Sequence, residues 1–295
     1  ADMKLFLYPQ AQCIGLLLAD GRVCGFDYVE EGEVDFCRVN RLELRKHPKG
    51  YEVYDLEKRL FYNFEYFNRV ANSYLLTFVT DLDGRSIRLS YENGVLATLT
   101  DACGRRITVR HTDAGFIESL HLRMPDGSSE QLVRYSYDGQ GDMVGITDAL
   151  GQTTGIRYED HRMVEKTDRN GYAFFWEYDK EGRCVHTRGA DGDQEGWISY
   201  FPEQGYNTVR DACGAESTYR YDANQLVRSV TDALGNTTRY DYTKEMEPYR
   251  EIDPEGRITG WHYDGRGNQT GTTSPDGTLS MRVFDEQDLM ILHYH

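Results

Sequence analysis

A four-residue element that ends in glycine recurs ten times in the chain, at steps of 20 to 24 residues. Glycine adopts a positive φ without steric cost, and the aspartate that usually opens the element can bond the turn backbone. Each element therefore predicts a tight turn, and the regular step predicts a repeat protein whose units are stable only when stacked. The ten copies are Asp81–Gly84, Asp101–Gly104, Met124–Gly127, Asp148–Gly151, Asp168–Gly171, Gly189–Gly192, Asp211–Gly214, Asp232–Gly235, Asp253–Gly256 and Ser274–Gly277.

The residues after each turn predict a β-strand. An aromatic ring stands seven residues after the glycine in eight of the ten copies. The third, fifth and seventh positions after the glycine are mostly apolar or aromatic, as in Phe174, Trp176 and Tyr178, and the positions between them are mostly polar. This alternation is that of a strand with one apolar face. In the last copy the apolar residues, such as Leu279 and Met281, fall on the intervening positions instead.

A second turn follows the aromatic ring, for instance in "YDKEG" from Tyr178 and "YDGRG" from Tyr263. Each repeat therefore consists of strand, turn, strand and turn. No stretch holds the 3.6-residue apolar period of a confident helix. We predict an all-β chain, built as an antiparallel ribbon of β-hairpins over residues 81–295, in about ten units of 20 to 24 residues.

Residues 1–80 are less regular but also have β character. Gly21 is followed seven residues later by Tyr28, and a turn at Gly50 precedes the alternating Tyr51 and Val53. We expect this region to be a divergent β lead-in that caps or starts the ribbon.

Composition excludes several classes of partner. Lys and Arg number 33 and Asp and Glu number 49, which gives a formal charge of −16. That charge repels phosphate backbones and anionic lipid surfaces, so we expect no nucleic-acid partner. The apolar run Ile14–Ala19 is too short to cross a bilayer and lacks the basic flank of a signal peptide, so we expect no membrane span. The six cysteines show no CxxC spacing; free thiols are favoured, and disulfides remain open.

The sequence offers no constellation typical of an active site. No nucleophile elbow, phosphate-binding loop or zinc-protease motif occurs, and the recurring carboxylates suit turn capping. Asp191, Asp193 and Glu195 begin like a calcium loop, but Pro202 stands where an EF-hand requires a bidentate glutamate. We therefore predict no catalytic residue, no cofactor and no metal ligand in this chain.

The spacing of tyrosine, aspartate and glycine identifies a family. The segment that begins with Tyr178-Asp179 reads Y-D-x-x-G and ends at Gly182. The glycine-ended turn Gly189–Gly192 follows it. This pattern resembles the YD-repeat (Rhs) family, strongly over residues 81–295 and weakly over 1–80, and is similar to the C component of insecticidal toxin complexes. Further copies begin at Tyr137-Asp138, Tyr221-Asp222 and Tyr263-Asp264.

The resemblance implies that the ribbon spirals into part of a hollow β-shell, or cocoon. In this family the shell encloses a C-terminal toxin until delivery, either by type VI secretion between bacteria or within an insecticidal toxin complex. The implied partners are the enclosed toxin domain, the remaining shell segments, a secretion-spike protein, a chaperone and an immunity protein. A member of this kind is made in the bacterial cytoplasm and then secreted or delivered into a target cell. Because no family core sequence, self-cleavage segment or toxin is recognisable here, we expect those activities in other parts of a longer parent protein.

Two alternatives remain open. A cell-surface adhesion or carbohydrate-binding YD-repeat module would use aromatic rings such as Trp176 and Trp261 to stack on sugars, and its cysteines would be oxidised. A β-solenoid enzyme that acts on polysaccharides lacks any supporting site. The glycosylation sequons that begin at Asn236 and Asn268 carry no expected role in a bacterial repeat protein.

Overall fold

The computed structural model describes residues 3–69 and 72–295. Within these residues the regular structure is β-strand, apart from two 3-10 turns at Pro9–Ala11 and Pro202–Gln204, and there is no α-helix. The chain forms two compact units. The first comprises Ala1–Gln131, Gly265–Asn268 and Phe284–Met290, and the second comprises Leu132–Asp264, Gln269–Val283 and Ile291–His295.

The strands up to Arg123 belong to the first unit. They are Lys4–Tyr8 (β1), Cys13–Leu17 (β2), Val23–Asp27 (β3), Val34–Cys37 (β4), Leu42–His47 (β5), Gly50–Asp55 (β6), Leu60–Asn68 (β7), Ser73–Asp81 (β8), Ser86–Glu92 (β9), Val95–Thr100 (β10), Arg106–His111 (β11) and Ile117–Arg123 (β12).

The ladder of the first unit branches at β8. Strands β4 to β12 pair antiparallel with their neighbours in sequence. On the edge of β8 opposite β7, the first half pairs with β1, and the second half pairs with β9. Strands β1, β2 and β3 continue from that branch as a separate antiparallel run. The branch gives the first unit two layers to pack together, which is the condition for a buried core.

A hydrophobic core fills the first unit. Leu5 of β1, Ile14 of β2, Leu44 of β5, Val53 of β6 and Phe64 of β7 are completely buried. Each of these strands contributes alternate residues, so the apolar positions converge on one side. The core therefore depends on the lead-in residues, where the sequence shows the weakest repeat.

An ionic cluster centred on Arg266 packs two sequence-distant turns of the first unit against β5. The Arg266 guanidinium donates to both oxygens of Asp288 at 2.7–3.0 Å and to Glu43 Oε2 at 2.9 Å. Asn268 donates to Asp288 Oδ1 at 2.6 Å and accepts from Arg41 at 2.5 Å. These hydrogen bonds compensate the buried carboxylates for lost hydration. Because Asn268 is itself buried, its sequon is closed to glycosylation.

The remaining strands belong mainly to the second unit. They are Ser129–Tyr137 (β13), Met143–Asp148 (β14), Thr153–Glu159 (β15), Arg162–Thr167 (β16), Ala173–Tyr178 (β17), Cys184–Gly189 (β18), Gly196–Phe201 (β19), Tyr206–Asp211 (β20), Glu216–Tyr221 (β21), Val227–Thr231 (β22), Thr237–Tyr242 (β23), Pro248–Ile252 (β24), Ile258–Tyr263 (β25), Gln269–Thr273 (β26), Leu279–Phe284 (β27) and Met290–Tyr294 (β28).

Each strand from β14 to β26 pairs antiparallel with the strand before it and the strand after it. The prediction of an all-β antiparallel hairpin ribbon is confirmed. All ten predicted turn glycines have a positive φ, between 78° and 87°. Their conformation is the reason that glycine recurs at a fixed step.

The lead-in glycine Gly50 has a different role from the predicted one. The turn is formed by Pro48 and Lys49, and Gly50 is already the first residue of β6. A Cβ atom at Gly50 would lie 2.0 Å from the carbonyl oxygen of Phe64 on the paired strand β7. Glycine is therefore required there for the close approach of two backbones rather than for a positive φ.

The second unit has almost no buried residues. Every residue in its strands except Gly145, Gly189 and Gly271 is at least partly accessible, although this unit is described throughout. The core residues all lie between Met3 and Val109. The second unit is therefore a wall of one layer, which cannot obtain its stability from an interior.

The turn after Tyr221 tests the glycine requirement. Gln225 occupies it with a φ of 63° and donates its N–H to the Asp222 carbonyl, as glycine does elsewhere. A left-handed conformation costs a non-glycine residue about 1 kcal/mol. We expect Gln225→Gly to raise the free energy of unfolding by up to about that amount in urea denaturation.

The matched control is Gly235→Ala, since Gly235 has a φ of 86° and no atom within 4 Å of the added Cβ. Its loss in stability would be due to the backbone conformation alone and should be about 1 kcal/mol. A neutral Gly235→Ala, together with a destabilising Gln225→Gly, would contradict this account of the repeat.

Candidate functional site

In the seven repeats whose turn begins with aspartate, the carboxylate of that aspartate holds the turn. In the turn from Asp148, Oδ1 accepts hydrogen bonds from the backbone N–H groups of Leu150 and Gln152 at 2.9 and 3.0 Å. The backbone closes the same turn, because Gly151 donates to the Asp148 carbonyl at 3.1 Å. The prediction that the recurring carboxylates cap turns is confirmed. The same pair of carboxylate contacts recurs at Asp101, Asp168, Asp211, Asp232 and Asp253.

The second carboxylate oxygen of these aspartates often receives a cation. Arg105 Nε donates to Asp101 Oδ2 at 2.6 Å, and Arg257 Nε donates to Asp253 Oδ2 at 2.5 Å. These side-chain hydrogen bonds lower the pKa of both carboxyls below the ordinary value of 3.8. At neutral pH the carboxylates are therefore ionised and fully engaged with the turn, which leaves them unsuited to general acid catalysis.

In several repeats the tyrosine hydroxyl bonds to the backbone of the preceding strand. The hydroxyl of Tyr178 donates to the carbonyl of Met163 at 2.7 Å, and 15 residues separate the two. Tyr242 and Tyr263 make the same bond over the same separation. Tyr91 and Tyr200 make corresponding bonds to the carbonyls of Leu76 and Cys184.

Each of these carbonyls lies beside a β-bulge. The register shifts between Arg157 and Tyr158, where Tyr158 pairs with Met163 and Arg157 pairs with Glu165, so that Val164 is the extra residue. A bulge interrupts the ladder and disturbs its regular hydrogen bonds. The Tyr178 hydroxyl supplies a donor at that point from the following strand. At Tyr178, Tyr242 and Tyr263 the hydroxyl therefore has a role in addition to that of the ring, which the sequence pattern alone does not indicate.

The two faces of the second unit differ in chemistry. One, the aromatic face, carries Phe174, Trp176, Tyr219, Tyr240 and Trp261, all of them half-buried. Their strand registers place them on the same side of the sheet, and Phe174 and Trp176 stack with their centroids 6.4 Å apart. The predicted alternation is therefore confirmed, but nothing within the described residues covers this face completely.

The other, polar face is held by cross-strand charge contacts. Arg157 Nε donates to Glu165 Oε2 at 3.2 Å, and the Arg188 guanidinium lies 4.6 Å from the centroid of the Phe175 ring. These residues are successive partners across β15, β16, β17 and β18. In the last repeat the apolar Met281 pairs with Gly271 on this face and is 36% exposed. The pairing register thus continues into the last repeat, but its apolar residues lie on the polar face.

His186 is the most enclosed titratable group of the polar face. Its Nδ1 lies 3.1 Å from Glu177 and its Nε2 2.9 Å from Glu195, and its ring stacks on Trp197. Burial opposes the charged form, but hydrogen bonds donated to Glu195 and Glu177 outweigh it and raise the pKa of His186. The imidazole thus links Glu177 of β17 to Glu195 and Trp197 at the start of β19.

The remaining residues singled out from the sequence do not converge on one site. Glu195 bonds to His186, whereas Asp193 accepts from the Tyr172 hydroxyl at 3.3 Å, so the calcium-like segment is dispersed. Among the residues that the structure describes, no group of three or more His, Cys, Asp or Glu side chains could hold a metal ion. All six cysteines are free thiols. Over the same residues no helix is long and apolar enough to cross a membrane.

These features define a class of protein: a one-layer antiparallel β-wall of repeats, most of them with an aspartate turn and several with a tyrosine bonded to the backbone. The family model described as RHS Repeat matches residues 250–279. The predicted resemblance to the YD-repeat (Rhs) family is confirmed.

Curated relatives and solved structures agree with this assignment. "Probable deoxyribonuclease RhsB" of Dickeya dadantii is 25% identical over 273 residues, which cover 89% of this chain and 18% of that protein. "Toxin protein Tse5" of Pseudomonas aeruginosa is 26% identical over 220 residues, 72% of this chain and 16% of that protein. The crystal structure of TcdB2-TccC3-TEV matches 95% of this chain and 16% of its own with a TM-score of 0.55 at 11% identity, which shows a shared fold. The chain thus spans less than a fifth of the length of these relatives.

The tyrosine hydroxyl can be tested by removing one oxygen atom. We expect Tyr178→Phe to lower the free energy of unfolding by about 1 kcal/mol in urea denaturation, because the Met163 carbonyl loses its donor. Tyr158→Phe is the matched control, since the Tyr158 hydroxyl has no hydrogen-bond partner in the described part of the chain. It should change stability by less than about 0.5 kcal/mol. Equal effects of both substitutions would show that only the rings matter.

The aspartate turns predict a specific pH dependence. The folded-state pKa values of Asp101 and Asp253 are lowered, so their ionisation contributes stability above the ordinary pKa of 3.8 that is lost as the pH falls through the lowered values. Asp101→Asn/Asp253→Asn keeps a turn acceptor but cannot ionise. We expect the stability difference between wild type and this variant to be constant above about pH 5 and to shrink below about pH 4 in urea denaturation. A difference that grows on acidification would have the wrong sign.

Proposed function

We propose that this chain is a structural segment of the shell of an Rhs-type toxin, and that the shell encloses a C-terminal toxic cargo until delivery. Residues 1–80 would form its lead-in and residues 81–295 its repeats. The observation that carries the proposal is the one-layer wall of the second unit, whose repeats bond to each other through backbone and turn contacts and form no interior of their own.

The similarity to toxins supports the same role. Both curated relatives described above carry names of toxic proteins or nucleases, and this chain aligns with a minor part of each. A segment that aligns with less than a fifth of a toxin and folds as a wall of repeats is better suited to enclosing a toxic domain than to catalysing the toxic reaction. We assign the toxic activity, and any self-cleavage, to other parts of the parent protein and assign no catalytic residue to this segment.

The proposed mechanism is confinement. The wall would separate the cargo from the cell that makes it, and the remaining shell segments would complete the enclosure. The protein would be made in the bacterial cytoplasm and then secreted or delivered into a target cell, by type VI secretion or as part of an insecticidal toxin complex. The enclosed domain and the other shell segments are the expected partners, with a spike protein, a chaperone and an immunity protein acting during delivery.

Limited proteolysis of the full-length parent tests enclosure. We expect the region C-terminal to this chain to be cleaved at least about tenfold more slowly in the parent than when it is expressed alone. The triple variant Tyr178→Phe/Tyr242→Phe/Tyr263→Phe removes three hydroxyl contacts of the wall and should reduce this protection, whereas Tyr158→Phe should preserve it. Equal cleavage rates in the parent and in the isolated region would contradict enclosure.

A carbohydrate-binding module is the second candidate, because Trp176 and Trp261 are half-exposed on the aromatic face. This function requires glycan binding that is lost in Trp176→Ala/Trp261→Ala and unchanged in Trp197→Ala, whose ring lies on the polar face. The parent would then release no protease-resistant cargo, which separates the two candidates.

A further inference from the structure

Two cysteines of the first unit lie side by side outside the repeat wall. Cys24 is in β3 and is buried, and Cys37 is the last residue of β4 and is half-buried. The Asn40 amide nitrogen lies 3.4 Å from the sulfur of Cys24 and 3.3 Å from that of Cys37. One amide group that contacts both sulfur atoms requires the two side chains to converge.

The two thiols also interact with each other. The neighbouring Cys24 thiol and the contact from Asn40 lower the pKa of Cys37 to about 5 against the opposing effects of burial and of Asp35. The proximity of Cys37 and burial raise the pKa of Cys24. Cys37 is therefore the more acidic thiol and the better nucleophile of the pair, and the buried Cys24 beside it is placed to resolve a mixed disulfide.

We propose that Cys24 and Cys37 form a thiol-modification site that closes to a disulfide by exchange with small-molecule disulfides such as oxidised glutathione. The site is independent of the enclosing role proposed above and requires only the geometry of Cys24, Cys37 and Asn40. The other four cysteines do not share it. Cys184 is the nearest comparison, a half-buried thiol that donates only to the His186 carbonyl.

The chemistry balances in two exchange steps. The Cys37 thiolate attacks one sulfur of oxidised glutathione, and the glutathione S–S bond breaks with release of one glutathione thiolate. Cys24 then loses its proton to solvent and attacks the Cys37 sulfur of the mixed disulfide, which releases the second glutathione thiolate. Two protein thiols are oxidised to one disulfide, and one glutathione disulfide is reduced to two thiols.

The closed form would tie β3 to β4. Among the described pairings, β3 pairs with β2 and β4 pairs with β5, and no ladder joins β3 to β4. A disulfide would constrain the short segment between them and raise Tm by roughly 5 °C. The oxidation state of this pair would thus change the stability of the first unit.

Mass spectrometry reads this site directly, because both cysteines lie in the tryptic peptide Val23–Arg38. After incubation of the whole chain with oxidised glutathione at neutral pH, we expect that peptide to be lighter by two hydrogen atoms and to resist alkylation. Peptides with Cys184 should remain reduced. Failure of peptide 23–38 to lose two hydrogens while Cys103 and Cys213, the exposed thiols, form glutathione adducts would overturn the proposal.

Single substitutions assign the two roles. In Cys24→Ser, Cys37 has no resolving partner and should accumulate as a stable glutathione adduct, whereas in Cys37→Ser the buried Cys24 should remain unmodified. The reverse pattern, or adducts in both variants, would contradict the assignment.

Asn40 is a positioning residue, and the pH profile of alkylation isolates its effect. In the wild type the alkylation rate of Cys37 should be nearly constant from about pH 6 to pH 8, while that of Cys184, whose thiol pKa is raised by burial, should rise about tenfold per pH unit. Asn40→Ala should make the rate at Cys37 pH-dependent in this range. A steep profile in the wild type would exclude a thiolate at Cys37.

Discussion

The second unit depends on hydrogen bonds that run from side chains to the backbone. An aspartate carboxylate holds most of the turns through two N–H groups, and in several repeats a tyrosine hydroxyl bonds to a carbonyl beside the bulge of the preceding strand. Because both contacts recur at the repeat period, they stabilise successive repeats without a common interior. The polar-face pairs, such as Arg157 with Glu165, add exposed contacts that contribute less.

The first unit is stabilised in a different way. Its ladder branches at β8, its strands enclose residues such as Ile14 and Phe64 completely, and the Arg266 cluster compensates buried carboxylates. Burial of apolar area supplies most of the stability of such a core. The chain therefore contains one unit with a conventional core and one unit whose stability accumulates repeat by repeat.

The repeats could be predicted from the sequence because their signals are local. A glycine at a fixed step requires a positive φ at Gly151 or Gly235 regardless of the tertiary structure, and the alternation around Trp176 fixes its face. The tyrosine contact could not be predicted in this way, because the role of the Tyr178 hydroxyl depends on a bulge in another strand. The sequence does contain one indication of this contact, because Tyr178 and its counterparts in later repeats follow the start of a short strand by 15 or 16 residues.

The strand pairing and core contacts of the first unit could not be predicted from the sequence for a related reason. The branch at β8 pairs Leu5 with Tyr74, and the Arg266 cluster joins residues more than 220 positions apart, so no local pattern encodes either. Gly50 illustrates the difference within one residue type, since its absent side chain makes room for the Phe64 carbonyl and its φ is ordinary. The convergence of Cys24 and Cys37 through Asn40 likewise depends on a packed core rather than on spacing.

Native-state hydrogen exchange measures most directly whether the wall is held repeat by repeat. The account predicts that amides in β15 to β17 and β23 to β25 are protected but exchange through separate local openings, at lower free energy than amides in β5 and β6 of the first unit. Exchange of all these strands through a single opening with one free energy would contradict it. So would the absence of protection in the second unit.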